Sequence, residues 1–170
     1  EVTNFDIVQS VSRCIADLQI AAREVNAPIK LLGHDAPTVI SGDARRVERI
    51  LRNLLTNAID HANQKPIEVT IAVSESDVAV GVRDYGDGMK ESDALQVFDR
   101  FWRADPSRSR EYGGTGLGLS IALEDARLHN GELEAWGRPG KGAHFVLTLP
   151  RVAGEHIHSR IISLKPSTAI

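Results

Sequence analysis

Apolar positions recur at helical spacing near the start of the chain, where Val8, Val11, Ile15, Leu18 and Ala22 share one face. Asp6 with Gln9 three residues later has the form of a capping box, so a helix is predicted from there to about Glu24. Residues 29–32 and 38–40 are short apolar runs bounded by Pro28, Gly33 and Pro37, and they predict two short strands. A second helical pattern opens at Asp43 and runs to about Ala62. Alternation then replaces the helical period: residues 67–73 and 78–83 predict a hairpin around residues 74–77. Residues 84–89 read as a loop, 92–98 as a short helix, and 104–113 as a polar, arginine-rich loop without periodicity. A helix over 116–130 is expected to end with Gly131 as its C′ residue. Residues 133–136 and 143–149 then predict a closing hairpin around 138–142. Residues 151–170 carry no convincing pattern and are expected to be linker or disordered. This order predicts an α+β fold, a two-layer sandwich with helices on one face of a mixed sheet, occupying residues 1–150.

Composition changes the picture only at its edges. The chain has 170 residues, 42% of them hydrophobic, enough for the core of one domain. Its net charge of −3, with both signs interspersed, argues against a general nucleic-acid binder. Arginine outnumbers lysine 15 to 5, which suits bidentate phosphate or carboxylate contacts. The single cysteine, Cys14, excludes an internal disulfide and fits a reducing compartment. No apolar run approaches the ~20 residues of a membrane span, and no signal-peptide pattern is present. Because the chain opens at Glu1 without an initiator Met, it is expected to be a piece of a longer protein.

Four glycines fall within six positions, Gly113, Gly114, Gly116 and Gly118, around Thr115 and Leu117 and before the 116–130 helix. A glycine loop feeding a helix N-terminus brings unpaired N–H groups and a positive dipole end to one place, as a phosphate site requires. It equally suits a flexible lid or a hairpin turn. On the 43–62 helix, Val47, Ile50, Leu51, Leu54 and Ala58 form the sheet-facing arc. Arg49, Asn53, Asn57 and Asp60 make a stripe beside it, with His61 at its edge. An asparagine amide offers a hard neutral oxygen to Mg²⁺ and an N–H donor to phosphate, although solvated or capping amides have the same pattern. Asp84-Tyr85-Gly86-Asp87-Gly88 follows directly on a strand, so Asp84 is held at a sheet end, where a carboxylate can accept from an exocyclic amine such as adenine N6. A plain turn or an acidic calcium-type loop remains open, without the EF-hand's ligand spacing. Phe98, Phe101 and Trp102 are either a core plug or the hinge of a lid bearing Arg103, Arg108 and Arg110.

Taken in order, Asn53-Leu-Leu-Thr-Asn57, Asp84-x-Gly86-x-Gly88, Phe98-x-x-Phe101 and Gly114-x-Gly116-x-Gly118 resemble the N, G1, F and G2 boxes of sensor histidine kinases. These boxes define a catalytic ATP-binding domain of the superfamily shared with gyrase B subunits, MutL and heat-shock chaperone ATPases. Gly140-x-Gly142 resembles the third glycine box, and the wording around Phe101–Arg108 and Ile121–His129 is similar to MtrB-type kinases of actinobacteria. The resemblance implies a Bergerat-type α/β sandwich with a mixed, mostly antiparallel sheet.

It also implies roles. Asn57 would ligate Mg²⁺, Asn53 would lie beside the phosphates, and Asp84 would bind adenine N6. Gly86 and Gly88 would shape the pocket, and Gly114, Thr115, Gly116, Leu117 and Gly118 would wrap the phosphates. Arg103 would reach the γ-phosphate, and His61 would contact phosphate or ribose. Hydrolytic relatives carry a glutamate at the position of Asn53; an amide cannot take a proton from water, which argues against efficient hydrolysis. The implied activity is γ-phosphoryl transfer from Mg·ATP to a histidine on a separate dimerisation domain, then to a response regulator, from a cytoplasmic domain of a plasma-membrane protein. Asp60 departs from the family, where a base is common, and Ala143 stands where Thr or Ser is frequent. A nucleotide-binding module without transfer activity, an anti-sigma-type serine kinase and a non-enzymatic interaction domain are the alternatives.

Overall fold

The computed structural model describes residues 1–100, 102 and 117–167. Its first element is one that periodicity did not announce. β1 (Thr3–Asp6) has Phe5 as its only large apolar side chain, and it exists by antiparallel pairing with β3 (Val39–Gly42). Asp6 then caps α1 (Ile7–Glu24), accepting from Val8 N–H at 3.0 Å and from Thr38 N–H at 2.9 Å. One carboxylate thus closes a helix end and fixes the neighbouring strand, a different arrangement from the Asp6–Gln9 box.

The main sheet comprises β2 (Ile29–Gly33), β4 (Ile67–Val73), β5 (Asp77–Asp84), β6 (Glu132–Arg138) and β7 (Gly142–Pro150). Its order is β2-β4-β5-β7-β6, with β2 and β4 parallel and the remaining pairs antiparallel. The sheet is therefore mixed and mostly antiparallel, as expected. α1, α2 (Ala44–His61) and α4 (Gly118–Leu128) form the second layer. Val47, Ile50, Leu51, Leu54, Leu55 and Ala58 of α2 join Val80, Val82, Phe145 and Leu147 of the sheet in one buried core. Each such Leu or Ile removed from water contributes on the order of 1.5–3 kcal/mol. That arc alone can hold α2, which leaves its Asn53–Asn57 edge available for polar work.

Two local readings change. α4 ends with Asn130, not Gly131, in the left-handed region (φ 56°), a conformation that asparagine tolerates. Gly131 is needed for close approach instead, because a Cβ there would stand 2.6 Å from the Thr148 carbonyl oxygen. α3 spans only Glu91–Ala94, and hydrogen-bonded turns carry the chain onward to seat Phe98 edge-on against Phe145, ring centroids 5.9 Å apart.

Residues 151–167 form no helix or strand, yet they are attached at many points to the sheet face away from the helices. Arg151 N–H donates to Ser76, and the Arg151 carbonyl accepts from Ser41. Asp77 accepts from the N–H groups of His158 and Ser159, Arg160 pairs with Glu132 and Glu134, and His144 bonds the Leu164 carbonyl. Ala79, Val146 and Thr148 of that face are consequently as buried as residues of the core.

Candidate functional site

Alternation along β5 puts Asp84 on the same face as Val80 and Val82, toward the helices. Only 1% of it is exposed, and its Oδ1 accepts from Gly86 N–H at 3.0 Å. Burial pushes its pKa up to about 7, against the opposing pull of the Gly86 and Ala143 backbone donors and the Arg83 charge, while Asp87 adds to the rise. A carboxyl poised near neutrality at a sheet end can change its proton occupancy as a ligand donor arrives.

Glycines enclose this carboxyl for reasons internal to the protein. A Cβ on Gly86 would lie 1.6 Å from the His61 carbonyl oxygen, so the loop runs against the end of α2. Gly142, at φ +80°, would place a Cβ 2.1 Å from the Asp84 carbonyl oxygen, locking the start of β7 against the end of β5. Asn63 Nδ2 donates to Asp87 at 3.2 Å, a further tie between the end of α2 and this loop.

On α2, Asn53 Nδ2 donates to the Gly118 carbonyl at 2.9 Å, joining the helix to the end of the glycine run. Asn57 lies one turn on, half-buried, without a side-chain hydrogen bond to a described residue. Its amide oxygen fits a hard divalent cation. Among the described residues no three His, Cys, Asp or Glu side chains cluster as a metal site, so a cation here would rely on amide, ligand and water oxygens.

This strand–glycine–helix arrangement has counterparts. Residues 42–153 match the family described as histidine kinase-, DNA gyrase B-, and HSP90-like ATPase. The chain belongs to that family. It is 51% identical over 162 residues to the sensor histidine kinase MtrB of Mycobacterium tuberculosis, covering 95% of this chain and 28% of that protein. It thus spans under a third of the length of this relative. The catalytic domain of the histidine kinase ThkA superposes with a TM-score of 0.78 at 23% identity, over 89% of this chain and 97% of that one. Full-length ShkA, solved in complex with AMPPNP, superposes with a TM-score of 0.79 at 22% identity, over 91% of this chain and 32% of that one. Both likenesses establish the ATPase fold.

Within this ATPase fold, Asn53 is joined to Gly118 at the start of α4, Gly86 lies against His61 and bonds the Asp84 carboxyl, Gly88 packs on Arg138 and Gly142 at the β6–β7 turn, and Asn57 lies one turn from Asn53 on α2. Arg49 leaves the stripe: its guanidinium donates to Asp125 of α4 at 2.7 and 2.8 Å and is joined there by Arg46 at 3.0 Å. Arg103, Gly114, Thr115 and Gly116 lie outside the described residues, as does the 104–113 loop. Sequence reasoning missed Arg83, Asn63 and Asp125. Arg83 offered a signal as a charge at the end of the apolar run 78–82, whereas Asp125, standing between Glu124 and Arg127, offered none.

Proposed function

We propose that this chain is the ATP-binding catalytic domain of a two-component sensor histidine kinase, holding Mg·ATP for γ-phosphoryl transfer to a histidine on a separate dimerisation domain. The observation that carries the reading is Asp84, a buried carboxyl at a sheet end that accepts from Gly86 N–H where the loop packs on the end of α2 at His61. Asp84 accepts the exocyclic amine of adenine, and Gly86 and Gly88 keep the surrounding loop close-packed. Asn57 gives its amide oxygen to Mg²⁺, which supplies charge neutralisation across the phosphate oxygens when bound. The backbone of Gly114–Gly118 and the Arg103 guanidinium take the remaining phosphate charge, with His61 at the ribose or phosphate edge. Asn53 anchors the glycine run and supplies no base for water, so ATP persists until an imidazole nitrogen attacks the γ-phosphorus and ADP departs. Catalysis then rests on positioning and charge stabilisation. The phosphoryl group passes from the histidine to an aspartate of a response regulator. The reading further places the full-length protein in the plasma membrane with this domain in the cytoplasm.

The test mixes the chain with a phosphoacceptor domain and γ-labelled ATP. Wild type labels the acceptor histidine, and Asn57→Ala reduces labelling by at least about a hundredfold, the scale of losing an electrostatic group at the transferring phosphate. Saturable ATP binding without any label transfer would contradict the kinase reading and leave a nucleotide-binding module.

A further inference from the structure

Arg83 follows the strand alternation onto the sheet face opposite the Asp84 carboxyl, and it is 7% exposed. Among the described residues no carboxylate lies within ion-pair distance of it. Its Nη1 donates instead to the carbonyls of Asp84 and, at 3.2 Å, Ala143, which are register partners at the ends of β5 and β7. The guanidinium carbon stands 4.3 Å from the Tyr85 ring centroid and 5.2 Å from that of Trp136. Its Nε is buried and has no partner. Burying a cation without a counter-charge costs free energy that an apolar residue would avoid. The charge is retained where it holds the backbone of the ligand-facing carboxyl.

The surroundings keep the guanidinium in place. Tyr85 Oη donates to Glu68, anchoring one ring to β4. His144 pairs with Arg83 across the β5–β7 ladder and donates through Nδ1 to the Leu164 carbonyl at 2.7 Å, which ties residue 164 to this side of the sheet. On the other face, Gly86 against His61 and Gly142 against Asp84 block the loop from moving inward. The Asp84 main chain is thereby fixed from both sides.

We propose that Arg83 is a positioning residue for base recognition: held over Tyr85 and Trp136, its guanidinium ties the ends of β5 and β7 together from behind and sets the Asp84 carboxyl for the amino group of adenine. The proposal rests on the nucleotide reading of Asp84. A lysine ammonium can reach the same two carbonyls, since both accept from the single Nη1, but it loses the planar guanidinium held over Tyr85 and Trp136.

The experiment compares Mg·ATP with Mg·ITP, which carries a carbonyl oxygen where adenine carries its amine, by equilibrium titration of the chain. Wild type is expected to prefer ATP by tenfold or more, since a site built to accept a donor rejects a ligand lacking it by about that factor or above. Arg83→Gln is expected to collapse the preference to within about twofold, and Arg83→Lys to reduce it roughly threefold. Equal losses for the two nucleotides, leaving the ratio at the wild-type value, would show a merely structural role and overturn the proposal. If Arg83→Gln melts below the assay temperature, Arg83→Lys decides by the same ratio, and an unchanged ratio overturns it. A wild type that does not distinguish ATP from ITP would instead remove the Asp84 reading, and the positioning role with it.

Discussion

Asp84 is unusual among the buried side chains because its proton is in play near neutral pH. Its pKa in the fold is raised from 3.8 to about 7, so its contribution to stability is full below 3.8 and is lost as pH rises through about 7. On the adenine reading, the amine donates more strongly to the ionised carboxylate than to the neutral acid and so draws the proton off. The affinity for Mg·ATP should therefore rise as pH increases through about 7, with proton release on binding below that point. Calorimetric titrations in buffers of different ionisation enthalpy measure this directly; a flat affinity and no proton release would contradict the assignment. Asp84→Asn, whose amide is neutral at every pH, should weaken ATP binding by at least about tenfold and abolish the pH dependence. Unchanged affinity would sink the adenine role. Cys14 stands outside this chemistry: burial pushes its thiol up to about 11, leaving it inert near neutrality.

Among the elements, the joint between α2 and α4 fixes the start of α4, where Asn53 holds the Gly118 carbonyl. Asp125 is 1% exposed; burial works to raise its pKa, but hydrogen bonds from Arg49 and Arg46 outweigh it and hold it below the usual carboxylate range. The stability it brings is present above pH 3.8 and is lost as pH falls through its lowered value. Asp125→Ala leaves two guanidinium groups without their partner and should cost about 2–4 kcal/mol, discounted for their partial exposure, a loss visible as a lower Tm. A melting point within a degree of wild type would contradict this. Gly86→Ala must displace the end of α2, because its Cβ would overlap the His61 carbonyl, and it should cost at least about 2 kcal/mol and disrupt nucleotide binding. The elements that showed in the sequence were α1, α2, α4 and the strands β2 to β7, each carried by a helical period, alternation or a bounded apolar run. β1 did not, since a four-residue strand with one apolar side chain exists only through its partner β3. The C′ position of α4 was displaced by one residue because both Asn130 and Gly131 fit the rule, and close approach to Thr148 claimed the glycine. The nucleotide motifs were legible because their chemistry is local. The role of Arg83 was not, because the contacts that join it to Ala143 and Trp136 cross strands distant in sequence.

At the scale of the whole molecule, the matched family region ends at residue 153, while contacts with the sheet continue to Leu164. Burial first, with the Arg83 charge also acting, lowers the pKa of His144, so its stabilising contribution is present above pH 6.5 and declines as pH falls below it. Ending the chain after Pro150 removes the His158 and Ser159 donors to Asp77 and the Leu164 carbonyl that His144 bonds. The shortened chain should melt several degrees lower, on the scale of about 2–4 °C per kcal/mol, and should exchange β7 amide hydrogens faster. Identical melting and exchange would mean that residues 151–170 are only a linker. The central claim, a nucleotide site built where β5, α2 and α4 meet, is tested most directly by titrating the chain with Mg·ATP in a calorimeter. The account predicts a single saturable site that is lost in Asn57→Ala when Mg²⁺ is present; absence of any binding by the wild-type chain would contradict it.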